Sequence, residues 1–251
     1  MLDSTLKVLF CPDLHAPYHH THAWDCFLDV AEKWLPDVCI VLGDFGDFAS
    51  VSSYVRDPRT ALPLHDEVAG MNAELDRLDR ALKRGRCRTK YFLHGNHEQR
   101  LSAYTQRLAP ELWPYVSVDD MLKLDKRRWR SFPYKSSLGF GKLRVSHDVG
   151  RAGINAARQS VQDVGKSIVI GHTHRLQVSY QGNQTGERHV GATLGWLGDP
   201  ERIDYRHRDL VRRDWSHGFG FARFDASGNF WLVPVPIIGG RCVVEGEIYG
   251  K

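Results

Sequence analysis

Val38-Cys39-Ile40-Val41-Leu42-Gly43-Asp44-Phe45-Gly46-Asp47 is the stretch that decides the fold. Its first five residues are apolar and rich in β-branched types, as expected of a buried strand. It then breaks into glycine and carboxylate, so Asp44 arrives at a strand end. The same grammar recurs four times. Leu6 to Cys11 precedes Asp13-Leu14-His15, and Tyr91 to Leu93 precedes Gly95-Asn96-His97-Glu98. Leu143 to Val145 precedes His147, and Ile168 to Ile170 precedes Gly171-His172-Thr173-His174. Strand ends are the edge at which α/β sheets hold their sites. Carboxylate, carboxamide and imidazole groups gathered there suit a divalent metal.

Between these strands lie helical signals. Trp24, Phe27, Ala31 and Trp34 share one face, and Leu64, Val68, Met71, Leu75, Leu78 and Leu82 form a second apolar stripe. That stripe also suits a coiled coil, but its short length favours packing on a sheet. Helices are expected from Glu98 and over Ala152 to Val164. After His174 the pattern becomes β, with one hairpin over Leu176 to Leu194 and another over Phe219 to Ile238. The order predicts an α/β fold of two mixed β-sheets packed face to face, with helices outside.

The chain has 251 residues, 42% hydrophobic and 25% charged, which fits one domain over 1–251 with insertions at about 48–88, 110–139 and 195–217. A net charge of +4 is mild: it accommodates a phosphate-bearing ligand without demanding nucleic acid. Cys11, Cys26, Cys39, Cys87 and Cys242 form an odd set without a CxxC. That predicts a reducing, cytoplasmic setting and no disulfide framework. No signal peptide is read at the start, and no membrane partner is expected.

The ordered series DxH, GDxxD, GNHE, a lone His and GHTH resembles the calcineurin-like metallophosphoesterase family, over about residues 6 to 175. The resemblance implies a four-layer α/β/β/α sandwich and a centre of two divalent ions, manganese first, with Fe, Zn, Ni, Co or Mg also accommodated. It implies that Asp13, His15 and His174 bind one ion, that Asn96, His147 and His172 bind the other, and that Asp44 bridges them. By the same resemblance His97 assists the leaving group, Asp47 orients His97, and a metal-bridging hydroxide attacks phosphorus. Compact members with a loop like Val51-Ser52-Ser53-Tyr54 are common in bacteriophages and bacteria.

The phosphoprotein phosphatase branch has Arg-Gly after GDxxD, whereas this chain has Phe48-Ala49. A Ser/Thr phosphoprotein phosphatase is therefore discounted, and Arg100 or Arg56 is the candidate phosphate-binding guanidinium. The expected substrate is a phosphodiester or nucleotide-like phosphoester. A nuclease is the alternative, because Trp113, Trp129, Trp196 and Trp215 lie near Arg-rich stretches. The same tryptophans could instead anchor loops. A scaffold that kept the fold is a further alternative, disfavoured because every ligand position and His97 are intact. Glu98 is expected to cap its helix or support the site. Asp148 is read as exposed, the Gly150–Gly153 region as a weak anion site, and His19, His20 and His22 as surface or pocket rim. His94 is read as core or edge, and His65, His189 and His207 as uninvolved.

Overall fold

Strand β1 (Leu6–Cys11) is sorted by alternation. Val8 and Phe10 join one buried cluster, and Leu9 and Cys11 join another on the opposite face. Strand β2 (Val38–Val41) repeats this, with Val38 and Ile40 on the first side and Cys39 and Val41 on the second. A sheet buried on both faces needs apolar residues at every position, which is why these runs are continuous. The computed structural model describes residues 5–54, 62–203 and 214–251.

Helix α1 (Thr21–Lys33) follows β1. Helix α2 (Leu64–Arg84), strand β3 (Thr89–Leu93) and helix α3 (Asn96–Leu108) follow β2. Then come α4 (Val118–Met121), β4 (Arg130–Phe132), β5 (Ser137–Phe140), β6 (Leu143–Ser146), α5 (Ala156–Val164) and β7 (Ile168–Ile170). The hairpin β8 (Leu176–Gly182) and β9 (Arg188–Leu194) precedes the hairpin β10 (Gly218–Phe224) and β11 (Phe230–Pro236). A last hairpin joins β12 (Arg241–Val244) to β13 (Glu247–Gly250).

Strands order as β11-β10-β1-β2-β3-β4 in one sheet and β5-β6-β7-β9-β8 in the other. Both are mixed: β1, β2, β3 and β4 run parallel, while β10 pairs antiparallel with β1. The sheets pack through Phe10, Ile40, Leu42 and Leu93 against Val145, Val169 and Leu194. On the outer face of the six-stranded sheet, Trp24 and Phe27 of α1 and Met71, Leu75 and Leu78 of α2 share a core with Phe45 and Phe92. Helix α5 covers Ile168 and Ile170 on the far side of the other sheet. The result is the expected α/β/β/α sandwich, and the stripe on α2 packs within it.

Several boundaries differ from expectation. Helix α3 starts at Asn96, two residues early, because Glu98 turns back to its first turn and accepts the Gly95 N–H at 2.7 Å. Helix α5 starts at Ala156, after a turn through Gly150 to Asn155. Strand β4 and the hairpin β12–β13 were not anticipated. Each is very short, and the alternation in β12 is read only once Cys242 and Val244 are seen to be buried. No helix among the described residues is long and apolar enough to cross a membrane.

Candidate metal centre

The five clusters meet at one end of the sandwich. Asp13 and His15 follow β1, Asp44 follows β2, and Asn96 opens α3 after β3, all from the six-stranded sheet. His147 follows β6, and His172 and His174 follow β7, from the five-stranded sheet. Backbone hydrogen bonds lace the connecting loops together. His15 N–H donates to Asp44 O (2.9 Å), Ala16 N–H to Phe45 O (2.8 Å), and Gly171 N–H to His147 O (3.0 Å).

The chain turns sharply to aim these side chains. His15, Asp44, His172 and His174 all have left-handed φ, at 55°, 50°, 65° and 57°. For residues carrying a Cβ this costs about 1–2 kcal/mol each, and such strain collects at functional sites. Two glycines let the loops close. A Cβ on Gly43 (φ 100°) would lie 2.5 Å from His147 Nδ1, and one on Gly95 would overlap the Asp44 carboxylate.

Two donor sets emerge, each with its ligand atoms within 4.8 Å of one another: Asp13, His15 and His174, and Asp44, His147 and His172. In the first, His15 Nε2 and His174 Nε2 face each other at 3.1 Å, and His174 Nε2 lies 3.9 Å from Asp13 Oδ1. In the second, His147 Nε2 is 2.9 Å and His172 Nδ1 2.8 Å from Asn96 Oδ1, and His147 Nε2 is 3.3 Å from Asp44 Oδ2. Asp44 also belongs to a set with His15 and His97, so it lies between the halves.

The residues fit divalent cations. His147 Nδ1 is 2.9 Å from Leu42 O and His15 Nδ1 is 2.9 Å from Asp47 Oδ1, so these ring nitrogens donate outward. That leaves each Nε2 lone pair pointing inward, the usual arrangement behind a metal-bound imidazole. Asp13 Oδ2 is buried with no hydrogen-bond partner among the described residues, an orphan oxygen that a cation would satisfy. Burial and neighbouring imidazoles push His172 and His174 down, which keeps both rings neutral. Burial pushes Asp13 up to about 7. Burial opposes charge on His147, yet Asp44 outweighs it and raises His147 to about 10. Burial likewise opposes charge on Asp44, but His147 and His97 hold it well below the carboxylate range.

His97 sits above this floor. Its N–H donates to Asp44 Oδ1 (2.9 Å), and its Nε2 is 3.8 Å from Asp44 Oδ2. Its Nδ1 is 2.9 Å from both Asp47 Oδ1 and Asp47 O. Asp47 Oδ1 therefore serves His15 and His97 together. Burial works against the charge on Asp47, but these two rings hold its carboxyl far below the usual range. Arg100 reaches the same place, with Nη1 donating to Asp47 O (2.8 Å) and Nη2 lying 3.0 Å from His97 Nε2. Arg56 and His207 lie outside the described residues, as does the stretch Arg206–Arg213.

Some residues take places the sequence did not assign. Glu98 does both of its expected jobs at once. While capping α3 it accepts Asp44 N–H at Oε2 and Gly46 N–H at Oε1, each at 2.9 Å. Its capping and supporting roles were expected, and only its place at the third helical position, with the helix opening at Asn96, differs. Buried Glu67 of α2 accepts Ala49 and Ser50 N–H, each at 2.9 Å, and fixes the loop after Asp47. Trp196 stacks on His174 (4.6 Å, 13°), and Trp215 meets the same ring edge-on (4.4 Å, 79°).

Other expectations are corrected. Asp148 is buried, not exposed: it accepts Gly150 N–H at 2.8 Å, so that N–H is already committed and cannot serve an anion. His19 is buried beside Trp24 and Glu74, because the loop it starts is pinned through His20 N–H to Leu197 O. Trp196 and Trp129 are core anchors; Trp129 Nε1 donates to Asp79 at 3.0 Å. His94 lies at the edge as expected, 2.7 Å from Asp119 Oδ1.

A family model described as calcineurin-like phosphoesterase matches residues 6–194. Gene 54 protein of Mycobacterium phage D29 is 29% identical over 172 residues, covering 62% of this chain and 64% of that protein. Gene 54 protein of Mycobacterium phage L5 is 28% identical over 172 residues with the same coverage. The chain thus spans less than two thirds of the length of these phage proteins. Among solved structures, Vacuolar Protein Sorting 29 from Cryptosporidium parvum superposes on 99% of this chain and 100% of its own, with a TM-score of 0.50 and 14% identity. That likeness is one of fold.

Proposed function

Because the chain belongs to the calcineurin-like phosphoesterase family, we propose that it is a metal-dependent hydrolase of phosphoesters with a two-ion centre, manganese being the first candidate. Asp13, His15 and His174 would hold one ion and Asn96, His147 and His172 the other, with Asp44 shared. Two divalent ions so held acidify water and offset charge on phosphoryl oxygens. The single observation that carries this reading is the pair of donor sets joined at Asp44 beneath His97.

His97 is oriented for one task. Its Nδ1 is tied to Asp47, so Nε2 is the atom that faces the centre. In this geometry Nε2 accepts from Arg100 Nη2, and once Arg100 turns to a phosphoryl oxygen Nε2 can hold a proton for a departing alkoxide, the ordinary work of a general acid. Arg100 places a guanidinium beside the same nitrogen, where it can bind a phosphoryl oxygen. It thereby takes the part of the arginine missing after Asp47. The wall around the first donor set is aromatic, but Trp196 is already covered on its His174 face. This removes one argument for base stacking and leaves a small phosphodiester as the favoured substrate over a nucleic-acid strand.

The test is hydrolysis of bis-p-nitrophenyl phosphate and p-nitrophenyl phosphate by protein loaded in turn with Mn, Fe, Zn, Ni, Co and Mg. Metal-dependent turnover with preference for the diester is expected. Turnover of circular single-stranded DNA in the same series would instead favour the nuclease. Inactivity on every ester with every metal would point to a scaffold.

A further inference from the structure

The C-terminal hairpin β12–β13 pairs with neither main sheet. It lies on α1, where Gly250 N–H donates to Asp29 Oδ2 at 3.1 Å. Beneath it, Cys26 of α1 and Cys242 of β12 face each other with their Sγ atoms 3.4 Å apart, both buried. The other thiols are placed differently. Cys11 Sγ lies 3.8 Å from Pro12 O, Cys87 Sγ lies 3.4 Å from Thr89 O, and Cys39 is enclosed in β2.

We propose that Cys26 and Cys242 are an oxidisable pair whose disulfide latches the C-terminal hairpin to α1. The two residues are 216 positions apart, so the bond would close most of the chain into a loop. Cross-links of that span restrict the unfolded chain most. Cys242, Val244 and Tyr249 of the hairpin pack into the core over α1, so an oxidant reaches the two thiols through local opening of this terminal unit, which costs less than global unfolding. A small peroxide is the oxidant of the right size. Each thiol first gives its proton to water. One thiolate attacks a peroxide oxygen, and the O–O bond breaks to give a sulfenic acid and hydroxide. The second thiolate then attacks that sulfur, forming the S–S bond and releasing a second hydroxide, and the two protons neutralise both hydroxides to water. Two thiols are oxidised and one peroxide is reduced. No cysteine belongs to the candidate metal centre, so the latch is separable from any hydrolytic chemistry.

The folded full-length chain is treated with hydrogen peroxide, unfolded in an alkylating agent and mapped by peptide mass. Alkylatable thiols should fall from five to three, with the linked peptides carrying Cys26 and Cys242. A dithiol reductant should restore all five. The Tm of the oxidised protein should rise by about 5 °C or more, and peroxide should not raise it in Cys242→Ser. Persistence of five free thiols overturns the proposal. So does a link between any other pair, recovery of Cys26 and Cys242 as separate sulfinic acids, or a correct link that leaves Tm unchanged. If Cys242→Ser fails to fold, the wild-type peptide map and its reversal by reductant decide alone.

Discussion

The two halves of the centre are built from the same residue types and differ in what stands around them. Asp13, His15 and His174 are sealed, all buried, with Trp196 stacked on one imidazole and Trp215 closing its edge. In the other half His147 and the shared Asp44 are enclosed. Asn96 and His172 are half-buried, with Tyr134 and Asp148 alongside. The difference predicts two jobs, with the sealed half as the anchor and the open half as the one that would exchange ligands with solvent and receive substrate.

Asp44 belongs to both halves, so its loss should have the largest effect. Asp44→Ala is expected to abolish paired metal binding, read as the metal-to-protein ratio by plasma mass spectrometry. Two ions per chain after that change would end the idea of a shared ligand. Next comes His97→Ala, which stands above both halves and holds neither. It should cut turnover about 10²–10⁴-fold, with near-normal metal content and a steeper loss for poorer leaving groups. An emptied centre would move His97 among the ligands. Glu98→Gln replaces one acceptor of the brace behind Asp44 and Gly46 with a donor. Weakening of metal affinity by about 10–100-fold is expected, measured by competition with a chromophoric chelator. The smallest effect is kinetic. Metal release into excess chelator should show two phases, the slower from the sealed half. His172→Ala should remove the fast phase, and Trp196→Ala should quicken the slow one. A single phase in the wild type would break the contrast between halves.

The sequence made the donor-bearing part of this picture readable because each candidate ligand lies beyond a continuous apolar strand. Asp13, Asp44, Asn96, His147 and His172 are all announced by the run before them. The braces were less legible. Glu67 is a carboxylate on an amphipathic helix, and nothing local distinguishes it from a solvated one, whereas Glu98 stands out by its place in the GNHE cluster. Only the approach of a distant loop, Ala49–Ser50 for Glu67 and Asp44–Gly46 for Glu98, gives them work. For Asp148 the Gly150 contact is local, and the remote partner that distinguishes it from an exposed carboxylate is Tyr134. The role of Trp196 depends on a ring 22 positions earlier, a distance that pattern reading does not cross.

Each half of the centre draws on both sheets: residues after β1 and β3 meet residues after β6 and β7. A cation held by either half is therefore a rivet through the sandwich as well as a reagent. Ions that bind only the assembled layers add RT ln(1 + [M]/Kd) to the stability of the whole fold. With ions held in this way, the availability of metal in the surroundings would set how firmly the two sheets stay closed, before any substrate arrives.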